Sequence, residues 1–290
     1  TTEIYTLSLH DALPICTPRL IEPFAGSAAV SIAAASLRKA ETFVLNDINQ
    51  PLMHLWHEII EEPDRLADAY GRLWDAQLGN EKRFYVEVRD EFNRTQQPDH
   101  FLYLLARCVK ASIRYNAQGE FNQSADNRRK GRQPAAMRAD LRAVSRLLKG
   151  RTQLLNVDYR GALRLATPAD LVYMDPPYQG VCGERDPRYS DSVEYDSFVA
   201  ELRALAARSI SFIVSYDGRC GAKAYGKLLP ADVGVVRFEI EAGTSAQATL
   251  LGKSETTYES LYLSRPLIER LGRVVEPFIA PSQLSFLGAA

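Results

Sequence analysis

The residues best suited to chemistry are four consecutive ones, Asp175-Pro176-Pro177-Tyr178, which follow a predicted strand over residues 170–174. Two prolines fix an extended backbone and supply no N–H donors, so the Asp175 carboxylate and the Pro176 carbonyl can both act as acceptors. Two such acceptors can hold the hydrogens of an exocyclic amino group on a nucleobase and direct the nitrogen lone pair at an electrophilic methyl group. Tyr178 would stack on that base. The alternative is a rigid corner in which Tyr178 only packs.

Three further segments lie at predicted carboxyl ends of strands, where ligands bind in parallel sheets. The first, residues 22–27, precedes a helix whose N-terminus offers N–H groups. The second, Asp47 with Ile48, could accept hydrogen bonds from ribose hydroxyls. The third, Asp158 with Tyr159, offers a carboxylate for an adenine amino group with a ring beside it. Together with Asp175, the candidate cofactor-binding residues are Glu22, Pro23, Phe24, Ala25, Gly26 and Ser27, then Asp47 and Ile48, then Asp158 and Tyr159.

Neither the three-glycine dinucleotide fingerprint nor a lysine-bearing phosphate loop is present in these segments, which disfavours a pyrophosphate ligand. They outline a pocket for an adenosine without phosphates, and S-adenosylmethionine is the obvious candidate. Each segment taken alone could also be a turn or a helix cap.

The elements that must position these residues alternate between strands and helices. Strands are predicted at 19–21, 42–45, 153–155, 170–174, 211–215, 234–240 and 258–263, with helices at 27–37 and 198–208. The nearly continuous helical pattern from about 54 to 151, with a polar loop at 119–134, reads as an insertion. We therefore predict an α/β, mostly parallel sheet formed by 17–53 and 152–265, an inserted helical domain over 54–151, and a tail over 266–290.

Composition excludes several classes of protein. The 290 residues are 46% hydrophobic and 24% charged, which does not fit a disordered, collagen-like or coiled-coil chain. No apolar run approaches the ~20 residues that span a bilayer, and no signal peptide is visible. Four widely spaced cysteines predict free thiols and a cytoplasmic protein.

The net charge of −1 conceals a basic segment. Residues 107–151 contain twelve Lys or Arg and three Asp or Glu. Such a segment is typical of a nucleic-acid-binding surface, although a solvated basic helix face is the alternative. The exposed-looking cluster Arg128, Arg129, Lys130 and Arg132 is expected to contact phosphates, which position a protein without reading sequence.

Two separate motifs carry a family resemblance. Phe24-Ala25-Gly26-Ser27 and Asp175-Pro176-Pro177-Tyr178, with a helical insert between them, resemble a Dam-type (class alpha) DNA adenine-N6 methyltransferase. Within the insert, residues 114–122 resemble the family's Arg-Tyr-Asn-x-x-Gly-x-Phe-Asn segment, which lies in its DNA-recognition domain. The resemblance covers roughly 20–264.

The resemblance implies a Rossmann-like, S-adenosylmethionine-dependent sheet with an inserted, mainly helical DNA-recognition domain. The partner is double-stranded DNA, from which the target adenine is extruded. The enzyme would be bacterial or phage-encoded, associated with the nucleoid and monomeric. The DNA-contacting residues implied within the insert are Arg114, Tyr115, Asn116 and Asn122.

The N-terminus departs from the family, whose members begin with a Trp-Ala-Gly-Gly-Lys segment that holds the methionine end of the cofactor. Residues 1–16 instead fit no element of the fold and resemble translated sequencing-adapter DNA. We therefore expect a non-native or disordered leader, a truncated natural N-terminus and a cofactor pocket without one of its walls.

Alternatives remain open at this point. Cytosine-N4 methylation uses the same amino-group chemistry, although the Asp175 start and the 114–122 match favour adenine. A glutamine-N5 protein methyltransferase usually has Asn at the first motif position and needs no basic insert. A non-catalytic DNA-binding remnant would explain the missing N-terminal segment. In the tail, Gln283-Leu284-Ser285-Phe286-Leu287 resembles a motif that docks on bacterial sliding clamps, and packing or disorder is the alternative.

Overall fold

The fold is described by a computed structural model covering residues 16–109, 112–177, 193–220, 223–244 and 256–272. In chain order the strands are β1 (Thr17–Glu22), β2 (Ala40–Asn46), β3 (Thr152–Leu155), β4 (Leu171–Met174), β5 (Ser211–Cys220), β6 (Lys223–Tyr225), β7 (Val235–Thr244) and β8 (Thr256–Ser264). The helices are α1 (Ala29–Ser36), α2 (Gln50–Glu61), α3 (Pro63–Ala76), α4 (Glu81–Thr95), α5 (Pro98–Arg107), α6 (Pro134–Leu148), α7 (Tyr159–Arg164), α8 (Tyr195–Ala207) and α9 (Arg265–Leu271).

The described residues fall into two compact units. The first contains 16–46, 157–177 and the described residues from 193 onward, and the second is Asp47–Asn156. The chain therefore leaves the first unit directly after β2 and returns to it directly before α7.

The sheet of the first unit has the strand order β2-β1-β4-β5-β8-β7, with β6 beside β5. Strands β2, β1, β4 and β5 are parallel, whereas β8, β7 and β6 run antiparallel to their neighbours. The parallel strands are covered by helices and read as continuous apolar runs, as in Leu171–Met174, all four residues of which are buried. This confirms the predicted α/β fold, but the sheet of the first unit is mixed rather than mostly parallel, because β6, β7 and β8 pair antiparallel.

A buried carboxylate joins the antiparallel strands. Asp217 of β5 accepts hydrogen bonds from Arg237 of β7 at 3.0 Å and from Ser260 of β8 at 2.9 Å, and also from the Tyr262 hydroxyl. Since buried polar groups need such partners, Asp217 links β5, β7 and β8 through side-chain hydrogen bonds.

The second unit is a helical domain whose helices begin where the sequence places prolines. Prolines at the first or second helical position start α2, α3, α5 and α6, as expected for a residue without an N–H to leave unpaired. Tyr70, Tyr85, Phe92, Phe101 and Tyr103 form its fully buried aromatic core.

Several predicted boundaries were wrong. Helix α1 begins at Ala29 rather than 27, after Ala28 in a left-handed conformation (φ 47°). Strand β5 continues past 215 to Cys220, and β6 was not predicted. The predicted tail begins inside α9, in which Arg270 donates to the Asp170 carbonyl at 3.1 Å and to the Ser211 hydroxyl at 3.0 Å. That anchoring is a tertiary contact, which local periodicity does not reveal.

Asp170, which precedes β4, is 3% exposed and binds the neighbouring strand β1. It accepts hydrogen bonds from the Arg19 guanidinium at 2.7 and 3.1 Å and from the Thr167 amide at 2.7 Å. Burial alone would raise the pKa of Asp170, but these hydrogen bonds hold it below its ordinary value.

Replacing Asp170 with Asn is expected to lower the free energy of unfolding by about 1.5–3 kcal/mol at pH 7, because hydrogen bonds to a charged group are lost. When the pKa in the folded protein is below the unfolded pKa near 4, the ionised group stabilises the fold at pH values above that unfolded pKa. This contribution is lost as pH falls through the folded pKa. Urea denaturation at pH 7 and pH 3 should therefore show the difference shrinking in acid. Asp232→Asn, which removes an exposed pair with Arg203, is the control, and a D170N difference that is constant with pH would contradict the assignment.

Candidate functional site

The parallel pairing of β1 with β4 brings two predicted site segments together. Leu20 pairs with Leu171 and Ile21 with Val172. Both strands run in the same direction, so the loop after Glu22 and the loop after Met174 leave the sheet side by side.

Glu22 is the last residue of β1 and is 2% exposed. Its Oε1 accepts a hydrogen bond from the Ser31 amide in the first turn of α1, at 2.7 Å. Burial raises the pKa of Glu22 to about 7, and the nearby Asp175 carboxylate adds to the rise while hydrogen bonds from Ser31 oppose it. The loop between β1 and α1 is therefore anchored at both ends by one carboxyl group.

Asn46, a residue that the sequence analysis did not select, joins the loops that leave three elements. Its amide nitrogen donates to the Pro23 carbonyl at 2.9 Å and to the Val157 carbonyl at 3.0 Å, and its oxygen accepts from the Val157 amide at 3.1 Å. The Asn46 carbonyl also accepts from the Ala25 amide at 2.8 Å. An asparagine at a strand end reads as an ordinary turn residue, so only the fold reveals this role.

Gly26 lies in the loop after β1 with φ +49°. A Cβ atom at this position would meet nothing within 4 Å, so glycine is required by the backbone conformation rather than by lack of space. Open space therefore lies beside Gly26, one of the residues predicted to bind the cofactor.

An aromatic wall connects Phe24 with the third predicted segment. The Phe24 and Tyr159 rings stack with centroids 5.1 Å apart, and Phe198 of α8 lies edge-on to both at 6.3 and 6.1 Å. Tyr216 of β5 extends this wall, 5.6 Å from Phe198. Phe198 and Tyr216 were missed by sequence reasoning because they are ordinary apolar positions of a helix and a strand.

Asp158 caps a helix in this structure. Its carboxylate accepts from the Arg160 amide at 3.0 Å and pairs with the Arg160 guanidinium at 2.7 Å. Hydrogen bonding by Arg160 lowers the pKa of Asp158. The role that we predicted for Asp158 toward an adenine amino group stays a prediction, and a ligand there would share the carboxylate with Arg160.

The Asp175 motif follows β4 directly. Asp175 is exposed, Pro176 is buried and Pro177 is half-buried, while Tyr178 lies outside the described residues. Beneath it, Tyr173 is buried, and burial together with the Asp175 and Glu22 carboxylates raises the pKa of its hydroxyl well above the ordinary value. The exposed Asp175 carboxylate thus stands between two buried residues of the chain, Met174 and Pro176.

Asp47 and Ile48 belong to the second unit rather than to the sheet unit in which we predicted them. The Asp47 carboxylate accepts from the Asn49 amide at 2.9 Å, just before α2, and Ile48 is exposed. The structure thus gives Asp47 a turn-forming contact, and its proposed contact with a ribose stays a prediction.

Residues 114–122 form a tight hairpin in the second unit, with Tyr115 paired to Phe121. The Asn116 side chain accepts from the Gln118 and Glu120 amides at 3.0 and 2.9 Å, which closes the tip. The Asn122 side chain is exposed, while the backbone N–H of Asn122 donates to the Arg114 carbonyl at 2.9 Å.

The hairpin is held from α2 and α4. Tyr115 shares a hydrogen bond with the Asn49 side chain at 3.1 Å, and Asn93 bonds both the amide and the carbonyl of Phe121 at 2.8 and 3.1 Å. A polar cavity of about 280 Å³ lies between α4 and the hairpin, with Asn116 and Asn122 in its wall. These contacts leave the hairpin tip rigid and solvent-facing.

The four basic residues predicted to contact phosphates are 55–82% exposed, and each pairs with an acid. Arg128 and Arg129 pair with Asp126 at 3.0 and 3.7 Å, Lys130 pairs with Glu81 at 2.9 Å, and Arg132 pairs with Asp140. Asp126 is buried, whereas Glu81 and Asp140 are partly exposed, so phosphate groups can most readily replace the acids that pair with Lys130 and Arg132.

Some predicted features lie outside the described residues. They are Tyr178, residues 1–15 and the clamp-like motif at 283–287. Among the residues that are described, no helix is long and apolar enough to cross a bilayer, and no cluster of three metal-ligating side chains occurs.

Comparison with known proteins gives a family match. A family described as the D12 class of N6 adenine-specific DNA methyltransferases matches residues 8–233. This confirms the resemblance to Dam-type enzymes. The match begins inside the segment 1–16 that we expected to be foreign.

Three curated relatives illustrate the similarity. The chain is 28% identical over 190 residues to the type II methyltransferase M.MjaIII of Methanocaldococcus jannaschii, covering 61% of this chain and 64% of that protein. It is 30% identical over 169 residues to the retron Ec67 DNA adenine methylase of Escherichia coli, covering 56% of each chain. It is 28% identical over 206 residues to the DNA adenine methylase of Escherichia coli K12, covering 68% of this chain and 70% of that protein. The chain thus spans less than two thirds of the length of the first two.

The raised pKa of Glu22 predicts a pH-dependent cost of folding. Near neutral pH the folded chain holds a proton that an unfolded glutamate, with a pKa near 4.3, has released, so the cost grows as pH rises from about 4.5 to about 7. Glu22→Gln removes this cost. Between pH 5 and pH 8, the free energy of unfolding of the variant should rise by about 2–3 kcal/mol relative to wild type.

Chemical denaturation at both pH values measures this difference. Glu269→Gln, at an exposed position of α9, serves as the control and should show no such trend. A Glu22→Gln difference that stays constant between pH 5 and pH 8 would show that the carboxyl group is ionised in the folded protein.

Proposed function

Because the chain belongs to the D12 class N6 adenine-specific DNA methyltransferase family, we propose that it transfers a methyl group from S-adenosylmethionine to adenine N6 in double-stranded DNA. The observation that carries this proposal is the placement of Asp175-Pro176-Pro177 beside the loop after β1. An acceptor pair for an amino group thereby adjoins a loop suited to a nucleoside.

The residues around the β1 loop fit an adenosine-containing cation. Phe24 and Tyr159 supply aromatic surface, and open space lies beside Gly26. Glu22 is a buried carboxyl group that a cationic ligand would favour in its ionised form. S-adenosylmethionine, when bound, supplies an electrophilic methyl group. No lysine or arginine lies in residues 22–27 to bind a pyrophosphate.

At the β4 motif, the Asp175 carboxylate and the Pro176 carbonyl accept hydrogen bonds from the adenine amino group. The nitrogen lone pair is otherwise delocalised into the ring, and two acceptors on one side favour a pyramidal nitrogen. The carboxylate also stabilises the positive charge that develops on this nitrogen and takes its proton. Pro176 is buried and its ring fixes the backbone, so its carbonyl acceptor is held in place before substrate arrives.

The second unit contacts the DNA. The exposed cations at 128–132 bind backbone phosphates, while the hairpin at 114–122 contributes to sequence preference. Chemistry on N6 of a paired adenine requires extrusion of the base from the duplex. A cytoplasmic location near the nucleoid follows from a DNA substrate. The monomeric state and the docking of residues 283–287 on a clamp stay predictions from the sequence.

The role of Asp175 is tested by Asp175→Asn, which keeps the shape of the side chain but removes the charge and replaces one acceptor by a donor. We expect methyl transfer to duplex DNA to fall at least about a hundredfold, with the DNA dissociation constant changed less than about twofold. Transfer of labelled methyl groups and fluorescence anisotropy measure the two quantities. Asp232→Asn is the control, and near-normal turnover of Asp175→Asn would make the assignment wrong.

The DNA-contacting role of the basic cluster is tested by replacing Arg128, Arg129, Lys130 and Arg132 with Gln together. Binding should weaken on all sequences, and the slope of log K against log salt concentration should become shallower by up to about 3.6, which is about 0.9 for each lost phosphate contact.

A control removes the same charge from four exposed basic residues of the first unit. These are Arg38, Arg164, Arg203 and Arg265. Equal slopes for wild type and the 128–132 variant would show that the cluster does not face DNA, whereas equal losses in the two variants would show only a general effect of net charge.

A further inference from the structure

Buried polar side chains in the second unit bind the main chain directly beneath two of the exposed cations. The Tyr70 hydroxyl donates to the Arg132 carbonyl at 2.6 Å, and the Gln77 side-chain amide donates to the Lys130 carbonyl at 2.8 Å. Both side chains are 0% exposed. Of the three successive carbonyls at 130–132, the first and the third therefore accept a hydrogen bond from a buried side chain.

A third side chain holds Gln77 in the orientation that this contact needs. The Tyr103 hydroxyl donates to the Gln77 Oε1 at 3.0 Å, which leaves the Gln77 nitrogen as the donor to Lys130. Burial raises the pKa values of Tyr70 (to about 12) and Tyr103, so both hydroxyls keep their protons and remain donors.

The residue between the two cations is fitted to the same surface. Gly131 has φ +89°, and a Cβ there would lie 3.0 Å from the Tyr70 hydroxyl and 3.3 Å from the Arg107 Cδ. Both conformation and space therefore require glycine. The main chain is pressed against the buried side chains, while Lys130 and Arg132 are 59% and 55% exposed.

We propose that Tyr70 and Gln77, with Tyr103 behind them, are positioning residues that fix the Lys130-Gly131-Arg132 main chain so that its two cations meet DNA phosphates. The inference rests on the proposed function, since it assumes that this segment faces DNA. Holding the backbone in advance removes the entropy cost of ordering the loop when DNA binds. Loops otherwise lose backbone freedom on binding, which would weaken each phosphate contact.

The test uses the full-length protein with Tyr70→Phe, Gln77→Met and the double variant. These substitutions remove the donors while keeping side-chain volume. Without the two anchors the segment no longer holds both cations at their phosphates, so binding to duplex DNA should weaken and the slope of log K against log salt concentration should become shallower by up to about 1.8 in the double variant. KM for duplex DNA should rise while kcat at saturating DNA stays at the wild-type value.

Ser145→Ala is the matched control, because it removes another buried side-chain-to-backbone hydrogen bond of the same unit, from Ser145 to the Ile60 carbonyl at 2.7 Å. It should lower the Tm without changing the salt slope. If Tyr70→Phe and Gln77→Met likewise lower only the Tm, the positioning role is wrong and the contacts serve stability alone.

A Lys130→Gln/Arg132→Gln variant separates this inference from the proposed function. If that variant leaves the slope unchanged, the segment does not face DNA and the proposed function fails at this point. If the Lys130→Gln/Arg132→Gln variant makes the slope shallower but the Tyr70→Phe/Gln77→Met variant does not, only the positioning inference is overturned. Tyr70→Phe alone loses one hydroxyl, so it keeps the test available should the double variant fail to fold.

Discussion

The pairing of β1 with β4 brings the proposed site segments of the first unit together, although about 150 residues separate these strands in the chain. Ile21 lies against Val172 in a parallel ladder, so the chain leaves both strands in the same direction. Glu22 and Asp175 then follow on neighbouring strands, close enough for Asp175 to raise the pKa of Glu22. Without this register the loop after β1 and the Asp175-Pro176-Pro177 segment would not adjoin.

Both carboxyl groups stand at this edge, but burial gives them different properties. Glu22 is buried and bonded to an amide of α1, so its proton is held to near neutral pH. Asp175 is exposed beyond a buried proline. We infer a division of roles, in which the buried group fixes and balances the cofactor loop and the exposed group meets the substrate.

In the second unit, buried side chains hold two segments through their backbone groups. Tyr70 and Gln77 donate to carbonyls of the 130–132 segment, and Asn93 bonds the backbone of Phe121 in the hairpin. Buried backbone groups need partners, so these contacts are required once the segments pack on the core. The Lys130 and Arg132 side chains remain exposed and available to a polyanion.

Features that depend on local sequence patterns were predicted. Four apolar residues at 171–174, followed by Asp175 and two prolines, indicated β4 and the place of Asp175 at its end. The alternation of strands and helices indicated the α/β fold. The antiparallel direction of β7 and β8 was missed, although the alternation of apolar and charged residues in Phe238-Glu239-Ile240-Glu241 is typical of an antiparallel strand.

Roles that depend on tertiary contacts were also missed. Asn46 resembles a turn residue, and Tyr70 and Gln77 resemble the buried face of an amphipathic helix. Their hydrogen-bond partners lie between 23 and 111 residues away in the chain.

The identity of the modified base decides whether the chain methylates adenine N6. Plasmid DNA incubated with the protein and S-adenosylmethionine is digested to nucleosides and analysed by mass spectrometry, and the intact plasmid is mapped by single-molecule sequencing. We expect N6-methyladenine, confined to one short sequence and absent when Asp175→Asn replaces the wild type. N4-methylcytosine, or unmodified DNA bound with ordinary affinity, would contradict the proposed function.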